Sequence, residues 1–257
     1  MKGFFWSVCL LSASVLASCD DHDPLDNGIH VGYVVCRDHS VMSLEAFESS
    51  GRSDASGVVF AEQDGTHPTL AISLSEVGNW SAHWQMLESG RNVTHYKSMS
   101  EKIVDDETGE TYTRTWEEPY TEWVEQAYLN MGTSCSLTAF DGFANTVSLY
   151  ETGVCPPATE VYSSHISANQ ADYIPSVAEM RLLVSRRDVL NEVLSRIEAT
   201  GCSVMYLQAK DDWYWTSTEV ESDPVNLMWV CSMENGGIMP ALKKNSYMVR
   251  PIFQLDY

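Results

Sequence analysis

Apolar residues change their spacing twice along the chain. Near both ends they occur in short runs rich in β-branched and aromatic residues, which is typical of strands. In Asp141–Tyr150 and Ser176–Thr200 they recur at helical spacing; Ser176 and Glu179 form a capping box before the second run, and Gly201 follows its last turn. The predicted strands are Ile29–Cys36, Val41–Leu44, Gly57–Phe60, Leu70–Leu74, Trp213–Thr218, Leu227–Met233 and Met248–Leu255. This order predicts an α+β fold with a mixed or antiparallel sheet, two or more helices, and first and last strands that pair.

The segment of residues 97–123 is rich in threonine and glutamate and alternates polar with apolar residues around Thr108 and Gly109. This pattern predicts an extended hairpin. Because its apolar face is thin, a flexible insertion is the alternative. The sequence has no internal repeat, so we expect residues 28–257 to form a single domain that carries this hairpin as an insertion.

The N-terminus has the layout of an export signal. A short basic start and an apolar stretch end in Leu16-Ala17-Ser18-Cys19, which resembles the lipobox of bacterial lipoproteins. We therefore expect residues 1–18 to be a signal peptide, Cys19 to carry lipid, and residues 19–27 to be an acidic tether. The acidic run resembles a surface-export tag, and a solvated linker is the other interpretation. The predicted location is the outer membrane, exposed at the cell surface and attached only through the lipid.

The charge of the chain restricts its partners. Its 36 aspartates and glutamates against 15 lysines and arginines give a net charge of −21 at pH 7. Such a surface repels phosphate backbones and anionic lipid headgroups. Nucleic acid is therefore not an expected partner, and the expected ligand is a protein or a glycan.

The cysteines give little information about disulfides. Beyond the signal peptide and Cys19, five cysteines remain, an odd number without a CxxC pair. Export permits disulfides, and most of these residues are equally suited to be small buried hydrophobes. The sequence favours Cys135 with Cys155 as the pair that closes a loop.

The common catalytic and metal-binding motifs do not occur. There is no GxSxG, HExxH, GxGxxG or Walker loop, and the seven histidines have no metal-ligand spacing. Asp21, Asp23 and Asn27 start like an EF-hand loop, but Leu25 stands at a ligand position. We therefore predict no catalytic residue, no metal site and no cofactor, although carboxylates from separate loops leave a looser calcium site open.

Four motifs in the second half carry a family resemblance: DGFANT (Asp141–Thr146), YIPSVAEM (Tyr173–Met180), YWTSTE (Tyr214–Glu219) and VRPI (Val249–Ile252). Their order and spacing resemble those of C-type-lectin-like domains in bacterial surface lipoproteins, relatives of the Lcl C-terminal domain and, more distantly, of the formylglycine-generating-enzyme fold. The family pattern has leucine, serine and valine where this chain has Ile174, Thr216 and Ile252. With Gly57–Phe60 as the early strand, the resemblance reaches back to about Gly28.

The resemblance implies a C-type-lectin-like fold in which Val249–Phe253 pairs beside Ile29–Cys36. Alternation along Trp213–Glu219 sends Tyr214 and Trp215 to opposite sides, and we expect YWTSTE to be scaffold whose Glu219 satisfies buried backbone groups. The segment between YWTSTE and VRPI then crosses the face that related domains use for ligands. The predicted contact residues are Glu221, Asp223, Asn226, Trp229, Asn235, Lys243 and Asn245.

The leading hypothesis is a lipid-anchored surface protein without enzymatic activity, which is adhesin-like or an accessory component and binds a protein or glycan. The EPN and WND signatures of calcium-dependent sugar binding are missing, and Asp223–Asn226 is only distantly similar to EPN. The alternatives are a structural subunit that assembles through exposed edge strands and an enzyme of the formylglycine type, for which Cys202 and Cys231 are the candidate thiols.

Overall fold

The computed structural model describes residues 28–77, 83–88, 90–125, 129–164, 172–207 and 213–255. The predicted signal peptide, Cys19 and the tether lie outside the described residues. The described elements follow in this order: β1 (Val34–Cys36), β2 (Val41–Met42), α1 (Leu44–Ser50), β3 (Ala55–Ala61), β4 (Thr69–Ser73), β5 (Trp84–Gln85), β6 (Gly90–Val104), β7 (Thr111–Glu125), α2 (Gly142–Glu151), α3 (Pro156–Ser164), α4 (Val177–Ser185), α5 (Arg187–Ala199), β8 (Trp213–Glu219), β9 (Leu227–Ser232), β10 (Ile238–Leu242), β11 (Ser246–Tyr247) and β12 (Ile252–Leu255). The predicted α+β class is confirmed. None of the helices in these ranges is long and apolar enough to cross a bilayer.

Five strands form the main sheet, in the spatial order β12, β4, β3, β1 and β2, with every neighbouring pair antiparallel. One row of paired residues, Val58, Ile72 and Ile252, enters the largest core, which α4 and α5 also line. The adjacent row, Val59, Ala71 and Phe253, enters a smaller core on the opposite side. The sheet is apolar on both faces because both are buried.

The expected pairing of the first and last strands is wrong. The last strand, β12, pairs with β4, and both β4 and β3 stand between it and β1. Strand β3 pairs with β4, to which a short loop joins it, and its other edge pairs with β1. The second edge of β4 therefore stays open, and β12 pairs there. The last strand is also shorter than predicted and begins at Ile252.

The first predicted strands are shorter than expected as well. Of Ile29–Cys36, Val34–Cys36 alone is a strand, because Gly32 has a φ of +90°, in the left-handed region that favours glycine. The strand predicted over Val41–Leu44 ends at Met42, because the Ser43 hydroxyl accepts a hydrogen bond from Ala46 N at 3.2 Å and caps α1.

The helical periodicity is confirmed with one correction. Helix α2 begins at Gly142, as DGFANT predicts, and the capping box of Ser176 and Glu179 starts α4. The single helix expected over Ser176–Thr200 is two helices, since the backbone of Arg186, with φ −107° and ψ 0°, separates α4 from α5. Gly201 ends α5 with a φ of +93°.

Strands β8, β9 and β10 form a three-stranded antiparallel sheet. Alternate residues of β8 enter different cores, as the period of two predicts. Tyr214 belongs to the largest core, whereas Trp215 packs in a second core with α2 and α3. All of YWTSTE is buried, so the motif is scaffold, as expected.

The predicted hairpin is present and is longer than the sequence suggests. Strands β6 and β7 each have 15 residues in one continuous antiparallel register, which spans about 50 Å at about 3.4 Å per residue. In the turn between them, one Asp105 carboxylate oxygen accepts from Glu107 N and Thr108 N, each at 2.9 Å, and these bonds lower the pKa of Asp105. We call this hairpin the arm.

Candidate ligand-binding surface and its buried support

The motifs of the second half meet in one buried polar network. The Thr146 hydroxyl of DGFANT donates to Gly142 O at 2.8 Å and accepts from Ile174 N at 2.9 Å. The Thr218 hydroxyl of YWTSTE accepts from Val177 N at 3.1 Å. These hydroxyls satisfy backbone groups that have no access to water where the chain segments cross.

Glu179 is a fully buried carboxyl within this network. One of its oxygens accepts from Ser176 N at 2.7 Å, and the other accepts from the Tyr173 hydroxyl at 3.0 Å. Burial raises the pKa of Glu179 to about 7, and the two hydrogen bonds oppose the rise. Glu179 therefore changes its ionisation near neutral pH.

A second buried carboxylate, Glu219, holds the segment that precedes α2. Its two oxygens accept from Met131 N at 2.7 Å and Thr133 N at 2.9 Å, and the Thr133 hydroxyl also donates to it at 3.0 Å. The sequence-based expectation that Glu219 satisfies buried backbone groups is thus confirmed.

Lys243 forms a fully buried ion pair with Glu219. Its ammonium group donates to the Glu219 carboxylate, to Leu129 O at 2.7 Å and to Pro224 O at 2.7 Å. These three acceptors match the three hydrogens of an ammonium group. Burial lowers the pKa of Lys243, and the Glu219 carboxylate opposes this effect. The surface role expected for Lys243 is corrected: its side chain has no exposed area and instead ties two loops to the scaffold.

A second buried ion pair joins the segment after β4 to the segment before β12. Arg250 of VRPI is 3.8 Å from Glu76, and it donates to Met205 O at 2.9 Å. The same Glu76 oxygen accepts from the Tyr214 hydroxyl at 2.6 Å. YWTSTE and VRPI are therefore joined through one carboxylate, which gives both motifs a structural role.

An apolar patch lies on the surface above this support, on one face of the β9–β10 hairpin. Trp229 is paired with Pro240, and Leu227 is paired with Leu242, so the four side chains share a face. Pro240 and Leu242 are exposed, while Trp229 and Leu227 are half-buried. Of these four, Trp229 alone is a contact residue predicted from the sequence. We call the four residues the Trp229 patch.

Polar loops border the Trp229 patch at the end where β9 starts and β10 ends. The Asp223 carboxylate accepts from Asn226 N at 3.2 Å and from its side-chain amide at 2.9 Å, so these two residues fix the loop before β9. Asn245 lies in the turn after β10, and Glu221 is exposed. Lys243 N donates to Asn226 O at 3.0 Å, which joins the two loops. The structure therefore places Glu221, Asp223, Asn226 and Asn245 in two adjoining loops at this end of the hairpin.

Asn235 lies apart from these residues. It stands in the turn at the other end of the β9–β10 hairpin, where its side-chain oxygen accepts from Gly237 N at 2.8 Å. There it lines a small pocket of about 270 Å³ with Arg181, Val184 and Arg187. The structure does not bring Asn235 together with the other predicted contact residues.

The described cysteines are all free thiols, so the expected Cys135–Cys155 bridge is not formed. Burial raises the pKa of Cys155 to about 12 and that of Cys231 to about 11. A raised pKa disfavours the thiolate that nucleophilic chemistry requires. In the described ranges, no group of three or more His, Cys, Asp or Glu side chains is arranged to hold a metal ion.

Two features escaped the sequence analysis. The first is the extension of the Trp229 patch to Leu227, Pro240 and Leu242, which depends on the register between β9 and β10. The second is the face of the arm that carries the His95–Tyr120 and Met99–Trp116 pairs. Its apolar residues recur at every second position of each strand, a pattern that the sequence shows once the two strands are aligned. No protein-family model matches the chain, and no curated protein is significantly similar to it.

Proposed function

We propose that this protein is a lipid-anchored, non-enzymatic cell-surface binding protein with a C-type-lectin-like domain, and that it recognises a protein or glycan ligand with the Trp229 patch. The observation that carries the proposal is the position of this patch: a partly exposed aromatic and aliphatic face bordered by polar loops that a buried ion pair holds in place. A rigid aromatic platform with polar groups at its border suits both sugar rings and protein side chains.

The buried support favours recognition by a preformed surface. Lys243 links the loop at Pro224 to the segment at Leu129, and Glu219 anchors the same segment from β8. Loops fixed in this way lose little conformational entropy when a ligand binds. The polar border therefore adds specificity at low entropic cost.

The charge of the chain narrows the ligand chemistry. A net charge of −21 makes polyanionic ligands such as sulfated glycans poor candidates, and Glu221 and Asp223 add carboxylates beside the patch. Neutral glycans and protein surfaces that are neutral or basic fit this environment. For a basic protein ligand, the association rate falls as the salt concentration rises.

A thermal-shift screen tests the proposal. The folded protein is heated with neutral glycans, candidate surface proteins and calcium, because a ligand that binds only the folded state raises the melting temperature. We expect at least one glycan or protein to give a shift that Trp229→Ala and Asn245→Ala each reduce. Trp229→Phe, which keeps an aromatic platform, should restore most of it.

The matched control is Tyr150→Ala, which removes an exposed aromatic side chain from α2, outside the patch. This variant should leave the shift intact. A ligand whose shift survives Trp229→Ala but disappears in Tyr150→Ala would place recognition elsewhere and overturn the assignment. Surface labelling of intact cells tests the location separately, and a protein that stays inaccessible to a membrane-impermeant reagent contradicts the surface anchor.

A structural subunit of a surface assembly is the second candidate, and the arm is the observation that favours it. Both outer edges of this two-stranded hairpin are unpaired within the described chain, and unpaired edges are templates for strand addition. Such a subunit should form long polymers or enter a complex that pull-down recovers. Isolation as a single non-polymerising species speaks against it.

An enzyme of the formylglycine type receives less support. Cys202 and Cys231 belong to the same buried core, and the raised pKa of Cys231 disfavours a reactive thiolate. Cys202→Ser and Cys231→Ser variants that retain every assayed property would remove this alternative.

A further inference from the structure

The arm presents an ordered ladder of side chains on one face. Directly opposed residues of an antiparallel pair share a face, and every second pair along the arm lies on the same one. The rings of His95 and Tyr120 stack with 5.4 Å between centroids, and Trp116 Nε1 donates to Glu118 at 3.0 Å. Along this face three apolar or aromatic pairs alternate with two pairs of opposite charge, in the order His95–Tyr120, Lys97–Glu118, Met99–Trp116, Glu101–Arg114 and Ile103–Tyr112.

This ladder face is not covered by the described remainder of the chain. Tyr112 and Tyr120 are each about half exposed, at 53% and 49%, and no other described element packs extensively on the arm. A two-stranded hairpin is at best marginally stable in water by itself. An exposed aromatic face of this length is therefore suited to contact with another protein surface.

We propose that the ladder face binds the same face of a second copy of this chain, with the two arms running in opposite directions about a two-fold axis. The axis passes between the Met99–Trp116 pairs of the two copies. Residues two positions before this pair in one copy therefore face residues two positions after it in the other. Lys97 then faces Glu101 of the second copy, and Glu118 faces its Arg114. The outer aromatic pairs exchange in the same way, which brings apolar residues together at every second step.

The identity of the partner follows from this complementarity and from the charge of the chain. The two strands carry four basic residues against five acidic ones, so the arm is nearly neutral in a chain whose net charge is −21. With the axis at Met99, arms that run in opposite directions place their two starts at Gly90 about 60 Å apart, which is several Debye lengths at physiological salt. A parallel arrangement also pairs opposite charges, but it brings both acidic bodies to the same end.

The available area fits a weak, reversible pair. With the axis at Met99, residues 94–104 of one arm face the same residues of the other, and a contact about 35 Å long and about 10 Å wide buries about 350 Å² on each copy, or about 700 Å² in total, which is in the range of weak, reversible contacts. Pairing along the outer edge of β7 is less favoured, because this strand contains Pro119, which has no N–H to donate. Face-to-face contact about one two-fold axis produces a closed dimer, whereas pairing that uses both free edges of the arm produces an open polymer.

Chemical crosslinking of the full chain tests the contact. A bismaleimide that spans about 10 Å, the separation of packed sheets, is added to Met99→Cys, and dimers are measured by denaturing electrophoresis. The matched control is Ser98→Cys, since Ser98 is the neighbouring residue on the opposite face of the same strand. We expect a covalent dimer for Met99→Cys, at least tenfold above both Ser98→Cys and the unsubstituted protein.

Exchanging charges in the Met99→Cys protein tests the direction of the arms. Lys97→Glu with Glu118→Lys keeps opposite charges within each arm but places like charges between antiparallel copies, and should lower the dimer yield at least tenfold. Adding Glu101→Lys with Arg114→Glu restores complementarity and should restore the yield. Equal crosslinking of Ser98→Cys, an unchanged yield after the first exchange, or a ladder of higher oligomers would each overturn the proposal. None of these variants alters the Trp229 patch, so the outcome is independent of the proposed ligand.

Discussion

Replacing Lys243 by methionine tests whether the buried ion pair supports the polar border of the Trp229 patch. Methionine has a similar length but no charge, so Lys243→Met leaves Glu219 buried without its cation and deprives Leu129 O and Pro224 O of their donor. Removing one partner of a buried ion pair costs about 3–5 kcal/mol. At about 2–4 °C per kcal/mol for a protein of this size, the melting temperature should fall by about 10 °C.

A double-mutant cycle separates the interaction energy of the Lys243–Glu219 pair from the other effects of each substitution. Glu219→Gln combined with Lys243→Met removes the uncompensated charge while keeping an acceptor for Met131 N or Thr133 N. The double variant should therefore be more stable than the sum of the two single effects by about 2 kcal/mol. Urea unfolding, followed by tryptophan fluorescence, measures all three variants.

The matched control is Lys244→Met, which changes the exposed neighbour in sequence and should alter stability by less than about 0.5 kcal/mol. Hydrogen exchange adds a local measurement, since the amides of Met131 and Thr133 should lose protection in Lys243→Met. A melting temperature within about 2 °C of the parent, with unchanged exchange at both amides, would refute the assigned supporting role.

Two further predictions concern the network at the start of α4. Because the pKa of Glu179 is raised from 4.5 to about 7, its contribution to stability is fully present below pH 4.5 and is lost as the pH rises through 7, a difference of about 3 kcal/mol. Glu179→Gln should remove this slope in urea unfolding between about pH 5 and about pH 8, and a slope equal to that of the parent would contradict the assigned pKa. Gly142→Ala should lower the melting temperature, because its Cβ would lie 2.7 Å from a backbone nitrogen and 2.9 Å from a carbonyl oxygen, whereas Gly65→Ala, which has open space, should not.

Local signals in the sequence predict local structure well. The capping box of Ser176 and Glu179 marks the start of α4 because its hydrogen bonds are made within one turn. The burial of YWTSTE and the opposite directions of Tyr214 and Trp215 follow from the period of a strand. The α3 helix begins with two prolines, a start signal that the sequence analysis overlooked.

The wrong predictions concern contacts between segments that are distant in sequence. The neighbour of β12 depends on which edge β3 leaves open, and no residue of β12 encodes that choice. Lysine is usually a surface residue. Lys243 is buried because Glu219, 24 positions earlier, supplies the counter-charge. A pattern along the chain does not reveal such a partner, because the pair forms only when β8 and β10 have taken their places around β9.

The two proposed surfaces act on different properties of binding. The Trp229 patch sets the affinity of a single contact, because that affinity depends on the aromatic platform and the loops that Lys243 holds. The arm sets the number of contacts, because antiparallel pairing places one patch on each body and keeps the starts of the two arms about 60 Å apart. For a ligand that repeats along a surface, the second contact is intramolecular, and avidity exceeds single-site affinity by about 10² or more without any new interaction. A soluble ligand with one epitope gains nothing from pairing, so a weak patch on a paired protein still gives firm adhesion to a repetitive surface.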